Sequence, residues 1–181
     1  MTISTKQTTA EELFAMGDIG RCELINGEVV HMSPSGFEHG HVAARLAKLL
    51  DNWNDNARAG IVLGAETGFI LKRNPDTVRA PDVAFVEAAR IGDELPKAFF
   101  EGAPNLAMEV VSPGDSWPEV QEKVELWLAC GCKSCWVVDP KNRQVTIHRE
   151  DGSITKFQHN QEVEDIVVSG FRVKVAAIFE W

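Results

Sequence analysis

Asp82, Glu109 and Lys123 are residues whose types together could do chemistry: an acid that opens one predicted strand, an acid near the end of another, and an amine on the helix that follows. Two carboxylates can hold a hard divalent cation through oxygen ligands. An amine beside them can orient or help deprotonate a water, or offset charge that grows on a phosphoryl group. Two carboxylates about 4 Å apart repel by roughly 4 kcal/mol at an effective dielectric of 20, so a cation between them is stabilising. The chemistry implied is metal-assisted attack on a phosphate ester. Mg²⁺ or Mn²⁺ held by Asp82, Glu109 and the main-chain carbonyl of Val110 or Val111 would polarise a phosphoryl oxygen and acidify a bound water.

Side-chain periodicity indicates how these groups could meet. Along 106–111, alternation puts Leu106, Met108 and Val110 on one face and Ala107, Glu109 and Val111 on the other. Asp82 shares its face with Ala84, while Val83 and Phe85 point away. On neighbouring strands, about 4.8 Å apart, the two acids would converge over small side chains. A helical wheel for the segment after Ser116 places Lys123 inside an apolar arc with Val120, Val124, Leu126 and Trp127, leaving Glu122, Glu125 and Ala129 outside. A bland alternative for Lys123 is an i,i+4 pair with Glu119, good for a few tenths of a kcal/mol. Inside the arc, however, a lysine must snorkel out or find a partner.

The remaining elements follow from local signals. Thr8 or Thr9, with Glu11 or Glu12 closing a capping box, predicts a short helix over 8–16. Asn26-Gly27 supplies the positive φ values of a tight turn, predicting a hairpin over 22–32. Val42, Leu46, Leu49, Leu50 and Trp53 form one face of a helix that starts after Gly36. Strands are expected over 61–71, 82–86 and 106–111, with a surface segment over 87–104 between the last two. A second helix is marked by Ser116, Pro118 and Glu119 at its start and Gly131 past its end. Strands follow over 135–138, 144–148 and 153–157, and the tail adds an edge strand around 172–175. This order predicts an α/β fold whose central sheet has helices on its faces.

Bulk properties narrow the classes. At 181 residues, 44% hydrophobic and 25% charged, the chain reads as one globular domain over 1–181. No apolar run approaches the roughly 20 residues that span a bilayer, and the opening residues lack the layout of a secretory leader. A cytoplasmic location and no membrane partner are expected. The net charge of -9 counts against a nucleic-acid partner, except that a bound cation reverses charge locally. Cys130, Cys132 and Cys135 are crowded together and Cys22 is remote, which is not the paired spacing of a zinc site. They read as reduced thiols.

Ala80-Pro81-Asp82-Val83, then Met108 to Pro113, then Lys123 and Trp136-Val137-Val138-Asp139-Pro140 resemble the Uma-type family of restriction-endonuclease-like proteins in the PD-(D/E)XK nuclease superfamily. The resemblance also takes in 22–28 and His39, and so covers about 23–173. It implies a restriction-endonuclease-like core, a central mixed β-sheet flanked by helices in the order αβββαβ, with an N-terminal hairpin and extra C-terminal strands. It implies a Mg²⁺- or Mn²⁺-dependent endonuclease acting on DNA, with Asp82 and Glu109 as the two acids, and leaves a homodimer open. The superfamily's lysine position is Val111 here, and Lys123 matches the lysine carried on the next helix. Trp127 and Cys135 stand where the family tends to have tyrosine, and neither is expected to touch a ligand. Glu66, placed on a strand, Glu23 and His39 are additional candidates; a cross-strand partner within the hairpin would account for Glu23, and local satisfaction for His39. Competing expectations are an inactive interaction protein that keeps the fold and a metal-dependent hydrolase of a small phosphorylated molecule.

Overall fold

The computed structural model describes residues 7–181; residues 1–6, part of the stretch read above for a leader, lie outside them. Helix α1 (Ala10–Ala15) is capped by Thr9, whose side chain accepts from the Glu12 N–H while Glu12 reciprocates. Strands β1 (Cys22–Ile25) and β2 (Glu28–His31) form the expected hairpin, with positive φ at both Asn26 and Gly27. Helix α2 (Phe37–Ala57) follows, then β3 (Gly60–Gly64), β4 (Phe69–Lys72), β5 (Thr77–Arg79), β6 (Val83–Glu87), β7 (Phe100–Glu101) and β8 (Leu106–Val110). Helix α3 (Trp117–Ala129) leads into β9 (Ser134–Asp139), β10 (Gln144–Arg149) and β11 (Ile154–Gln158). The chain closes with β12 (Glu162–Glu164), β13 (Arg172–Lys174) and α4 (Val175–Ile178).

The main sheet has six strands in the order β11-β10-β9-β8-β6-β3, mixed because β8 and β9 run parallel and their other neighbours antiparallel. Its heart, α2-β3-β6-β8-α3-β9, is the αβββαβ order expected. The two faces are built by alternation. Val83, Phe85, Leu106 and Met108 pack with Val42, Leu46 and Leu50 of α2. Ala84, Ala107 and Val137 pack on the other side with Val120, Val124 and Trp127 of α3. The sheet is therefore a layer between α2 and α3, and the small residues on the α3 side let that helix come close.

Several expected elements differ. The single strand over 61–71 is two, broken by a turn at 65–66: β3 joins the main sheet, whereas β4 joins a second sheet in the order β2-β1-β5-β4-β7. The segment 87–104 is not wholly irregular, because β7 pairs with β4. The strand near 172–175 does not extend the main sheet; β13 pairs only with β12, and its Val173 packs beside Val163, Phe171 and Ile178 in the α2-side core. In each case the partner strand, which a short apolar pattern does not encode, decides where the strand lies. Asp82 lies one residue before β6 rather than in it.

Helix α3 carries two groups toward the acids, so its entry matters. Ser116 Oγ accepts from the Glu119 N–H, and the Glu119 carboxylate accepts from the Ser116 N–H and hydroxyl. Ser116→Ala is expected to lower the unfolding free energy by about 1 kcal/mol, and Ser116→Asp to keep most of it. Urea denaturation with an unchanged m-value measures both.

Candidate active site

Glu109 is the last residue but one of β8, and the β6–β8 register pairs Val83 with Met108, so Asp82 falls across from Glu109 at the same end of the sheet. The Asp82 N–H donates to the Met108 carbonyl at 3.1 Å, and Asp82 Oδ2 accepts the Val110 N–H at 2.8 Å. Directly opposed residues have Cβ atoms about 5 Å apart, which puts the two acids at one end of the sheet, close enough for Asp82 to act on the Glu109 carboxyl. Both are buried, as the small-residue faces required.

Each carboxylate oxygen has an identifiable neighbour. Trp127 Nε1 donates to Glu109 Oε1 at 2.8 Å, and Lys123 Nζ donates to Glu109 Oε2 at 3.3 Å. Lys123 and Trp127 are one helical turn apart, so one face of α3 supplies both bonds. His39, in the first turn of α2, places Nε2 3.1 Å from Asp82 Oδ2. Asp82 Oδ1 accepts no hydrogen bond among the described residues; its nearest cation is Arg21 Nη2 at 3.8 Å. Asp82 lines the cleft, so this oxygen is open to whatever the cleft admits.

The electrostatics follow from burial. Loss of solvation pushes the Glu109 carboxyl up to about 7; Lys123 pulls it down, Asp82 pushes it up, and the Trp127 bond pulls it down. Attraction to Glu109 outweighs burial and raises the Lys123 ammonium, with Glu23 and Asp82 adding to the pull. His39 is raised chiefly by its bond to Asp82.

A cleft of about 870 Å³ opens over this cluster. One wall is the second sheet, whose α1-facing core of Leu24, Ile70 and Val78 leaves Glu23 and Arg79 on the cleft side. Glu23 pairs across strands, but with Arg79 of β5 at 2.6 Å rather than with a hairpin residue. His39 Nε2 meets Asp82 rather than a local group, and its buried Nδ1 has no hydrogen-bond partner among the described residues. Glu66 lines the cleft from the exposed β3–β4 turn, with φ of 71°, and not from a strand. Val110 lines the cleft; Val111 gives its N–H to the Val138 carbonyl on the β9 side. Since N–H and C=O of one strand residue point the same way, the Val110 carbonyl is the one directed toward Asp82. Trp127 corrects a further expectation: it does touch Glu109, through an indole N–H that a wheel of apolar positions does not display. Arg21 was missed altogether, being a lone arginine just before a strand.

No three His, Cys, Asp or Glu side chains among the described residues form a ready metal cage. Cys132 and Cys135 are free and buried in the α3-side core, where burial pushes the Cys132 thiol up to about 12 and that of Cys135 also well upward. The donors at hand are two carboxylates and a carbonyl, hard oxygens that suit a cation which keeps water and takes its other ligands from phosphate.

The architecture defines a class: an α/β protein with a mixed sheet between helices and an acid pair at one sheet end. It matches a solved structure described as "a putative nuclease belonging to DUF820" from Anabaena variabilis, with a TM-score of 0.79 at 17% identity, over 94% of this chain and 97% of that one. At that identity the likeness is one of fold. No curated protein matches the chain. The model of the Uma2 family, described as "Putative restriction endonuclease", matches residues 10–176, and the chain belongs to that family.

Lys123→Met is expected to move the Glu109 titration above about 7, and Asp82→Asn to move it below, as read by carboxyl-carbon chemical shifts. The stability linkage has a definite sign. A carboxyl that keeps its proton to higher pH when folded withdraws stability as pH rises from its ordinary 4.5 to about 7.

Proposed function

We propose that the chain is a metal-dependent endonuclease that hydrolyses phosphodiester bonds of DNA, with Asp82 and Glu109 as Mg²⁺ ligands and Lys123 as the amine at the reacting phosphate. The observation that supports this most is the meeting of Asp82, Glu109 and Lys123 at one end of the sheet, in a cleft, from three different elements. Family membership and the fold agree with it. The reading takes 1–181 as one nuclease-like domain.

The residues divide the work by their surroundings. Asp82 is fixed through Oδ2 by Val110 and His39, which leaves Oδ1 for a ligand. Glu109 is fixed through Oε1 by Trp127. With the Val110 carbonyl these oxygens would hold Mg²⁺ or Mn²⁺, which supplies polarisation of a phosphoryl oxygen and a more acidic water. Attraction to Glu109 first, then to Glu23 and Asp82, raises the Lys123 ammonium, which favours a cationic role. It orients the attacking water and stabilises charge that develops on the phosphate. Its side chain is 33% exposed, enough to face substrate while bonded to Glu109.

The charge of the cleft favours a second reading. Asp18, Glu23, Glu66, Asp82, Glu109 and Asp115 line it, against the permanent cations Arg21, Arg79 and Lys123, and the whole chain is at -9. A small phosphorylated molecule would meet less repulsion there than a polyanion.

Plasmid and linear DNA incubated with Mg²⁺ or Mn²⁺ should be cut by the native chain, and Lys123→Ala should lose about 10²- to 10³-fold in kcat. Asp82→Ala should abolish cutting and weaken Mg²⁺ binding. Retained metal binding with no cleavage of any nucleic acid would remove the nuclease reading in favour of the small-substrate enzyme.

A further inference from the structure

Of the three permanent cations in the cleft, two are hydrogen-bonded to carboxylates. Arg79 Nη1 is 2.6 Å from Glu23 Oε2, and Lys123 Nζ is 3.3 Å from Glu109 Oε2. Arg21 is held differently. Its Nη1 donates to Ser35 Oγ at 2.6 Å, and its Nη2 is 3.8 Å from Asp82 Oδ1, beyond hydrogen-bonding distance. Among the described residues no carboxylate accepts a hydrogen bond from it, and its side chain is 28% exposed.

The main chain holds this guanidinium in place. Arg21 immediately precedes β1, and its carbonyl accepts the Met32 N–H at 2.9 Å, so the hairpin ladder continues through it. Ser35 lies in the segment that leads into α2, whose first turn carries His39. The hairpin and the α2 entry thus meet at Asp82, with Arg21 beside one carboxylate oxygen and His39 on the other.

We infer that Arg21 is the phosphate-binding arginine of this site, donating to a non-bridging oxygen of the phosphodiester held over Asp82. The inference rests on the nuclease reading above and adds a residue to it. A guanidinium clipped by a neutral hydroxyl keeps its full charge and most of its fork of donors, which matches phosphate geometry. It can turn from Asp82 to a phosphate without breaking a hydrogen bond. Arg79 would first have to leave Glu23. In a cleft where carboxylates outnumber permanent cations, this charge, near Asp82 but hydrogen-bonded to no carboxylate among the described residues, is what an incoming phosphate meets.

The competing role is positioning, in which Arg21 only steadies Asp82. A clamp acts on substrate affinity, whereas a positioner acts on metal affinity and kcat. Native chain, Arg21→Ala and Arg21→Lys are compared by fluorescence anisotropy with a fluorescein-labelled DNA oligonucleotide in Ca²⁺, by calorimetric titration with Mg²⁺, and by steady-state cleavage. Arg21→Ala should raise the oligonucleotide Kd and the KM roughly ten- to a hundredfold while Mg²⁺ affinity holds or rises, since a cation beside Asp82 Oδ1 has been removed. Arg21→Lys should recover part of the loss, and free guanidinium should restore binding to Arg21→Ala. Thermal unfolding checks that the variants are folded, and Arg21→Gln, which keeps a donor for Ser35, replaces Arg21→Ala if that variant is not. Unchanged oligonucleotide affinity, or a loss of Mg²⁺ affinity in its place, overturns the inference. If the native chain binds the oligonucleotide without cleaving it, the nuclease reading fails and the affinity ratio still decides the role of Arg21. If it binds none, both fail.

Discussion

The antiparallel pairing of β6 with β8 sets Asp82 across from Glu109, and the rest of the site is arranged around the electrostatic consequence. Two acids cannot be buried side by side without partners that offset both their repulsion and their lost solvation. Here α3 supplies an ammonium and an indole N–H to Glu109, while α2 and the Val110 peptide supply Oδ2 of Asp82. Each partner comes from an element with its own reason to be there. Helix α3 is anchored by Val120 and Val124 against Ala107 and Val137, and α2 by Val42, Leu46 and Leu50 against Val83 and Met108. Packing of the two helix layers therefore aims the polar groups at the sheet end.

Compensation is incomplete, and that bears on function. Glu109 remains raised to about 7 despite Lys123 and Trp127, and Asp82 Oδ1 accepts no hydrogen bond among the described residues. Perturbed groups concentrated in a cleft are a signature of working sites. The second sheet contributes by enclosure. Its β1 and β5 turn Leu24 and Val78 toward α1 and turn Glu23 and Arg79 toward the cleft as a mutually neutralised pair. That pairing leaves the wall polar without adding net charge to it.

Local physics made much of this legible in advance. The Ser116 and Glu119 capping box and the apolar arc around Lys123 depend on residues within a few turns of one another, and both placed α3 and its lysine before any coordinates. The two-residue period of a strand set Glu109 on the face of Ala107, toward α3, whereas Asp82, one residue outside β6, turns its carboxylate to His39 of α2. What stayed hidden depends on distant pairing. Strand β7 has two residues and exists because β4 lies beside it. Trp127 looked like another apolar residue of its arc, because periodicity reports side-chain direction and not what an indole N–H will meet. Arg21 carried no pattern at all, and only the closure of the hairpin onto the α2 entry brings it to Asp82. Glu66 looked like a strand residue because the break at 65–66 lies inside an otherwise strand-like run.

The central claim is that Asp82 and Glu109 share one divalent cation. Anomalous diffraction at the manganese edge, from crystals of the protein grown or soaked with Mn²⁺, tests it most directly. The account predicts a single strong peak between the two carboxylates, within bonding reach of Asp82 Oδ1 and the Val110 carbonyl, which disappears in Asp82→Asn. A peak elsewhere in the cleft, or none between these residues at Mn²⁺ concentrations that support activity, would contradict it.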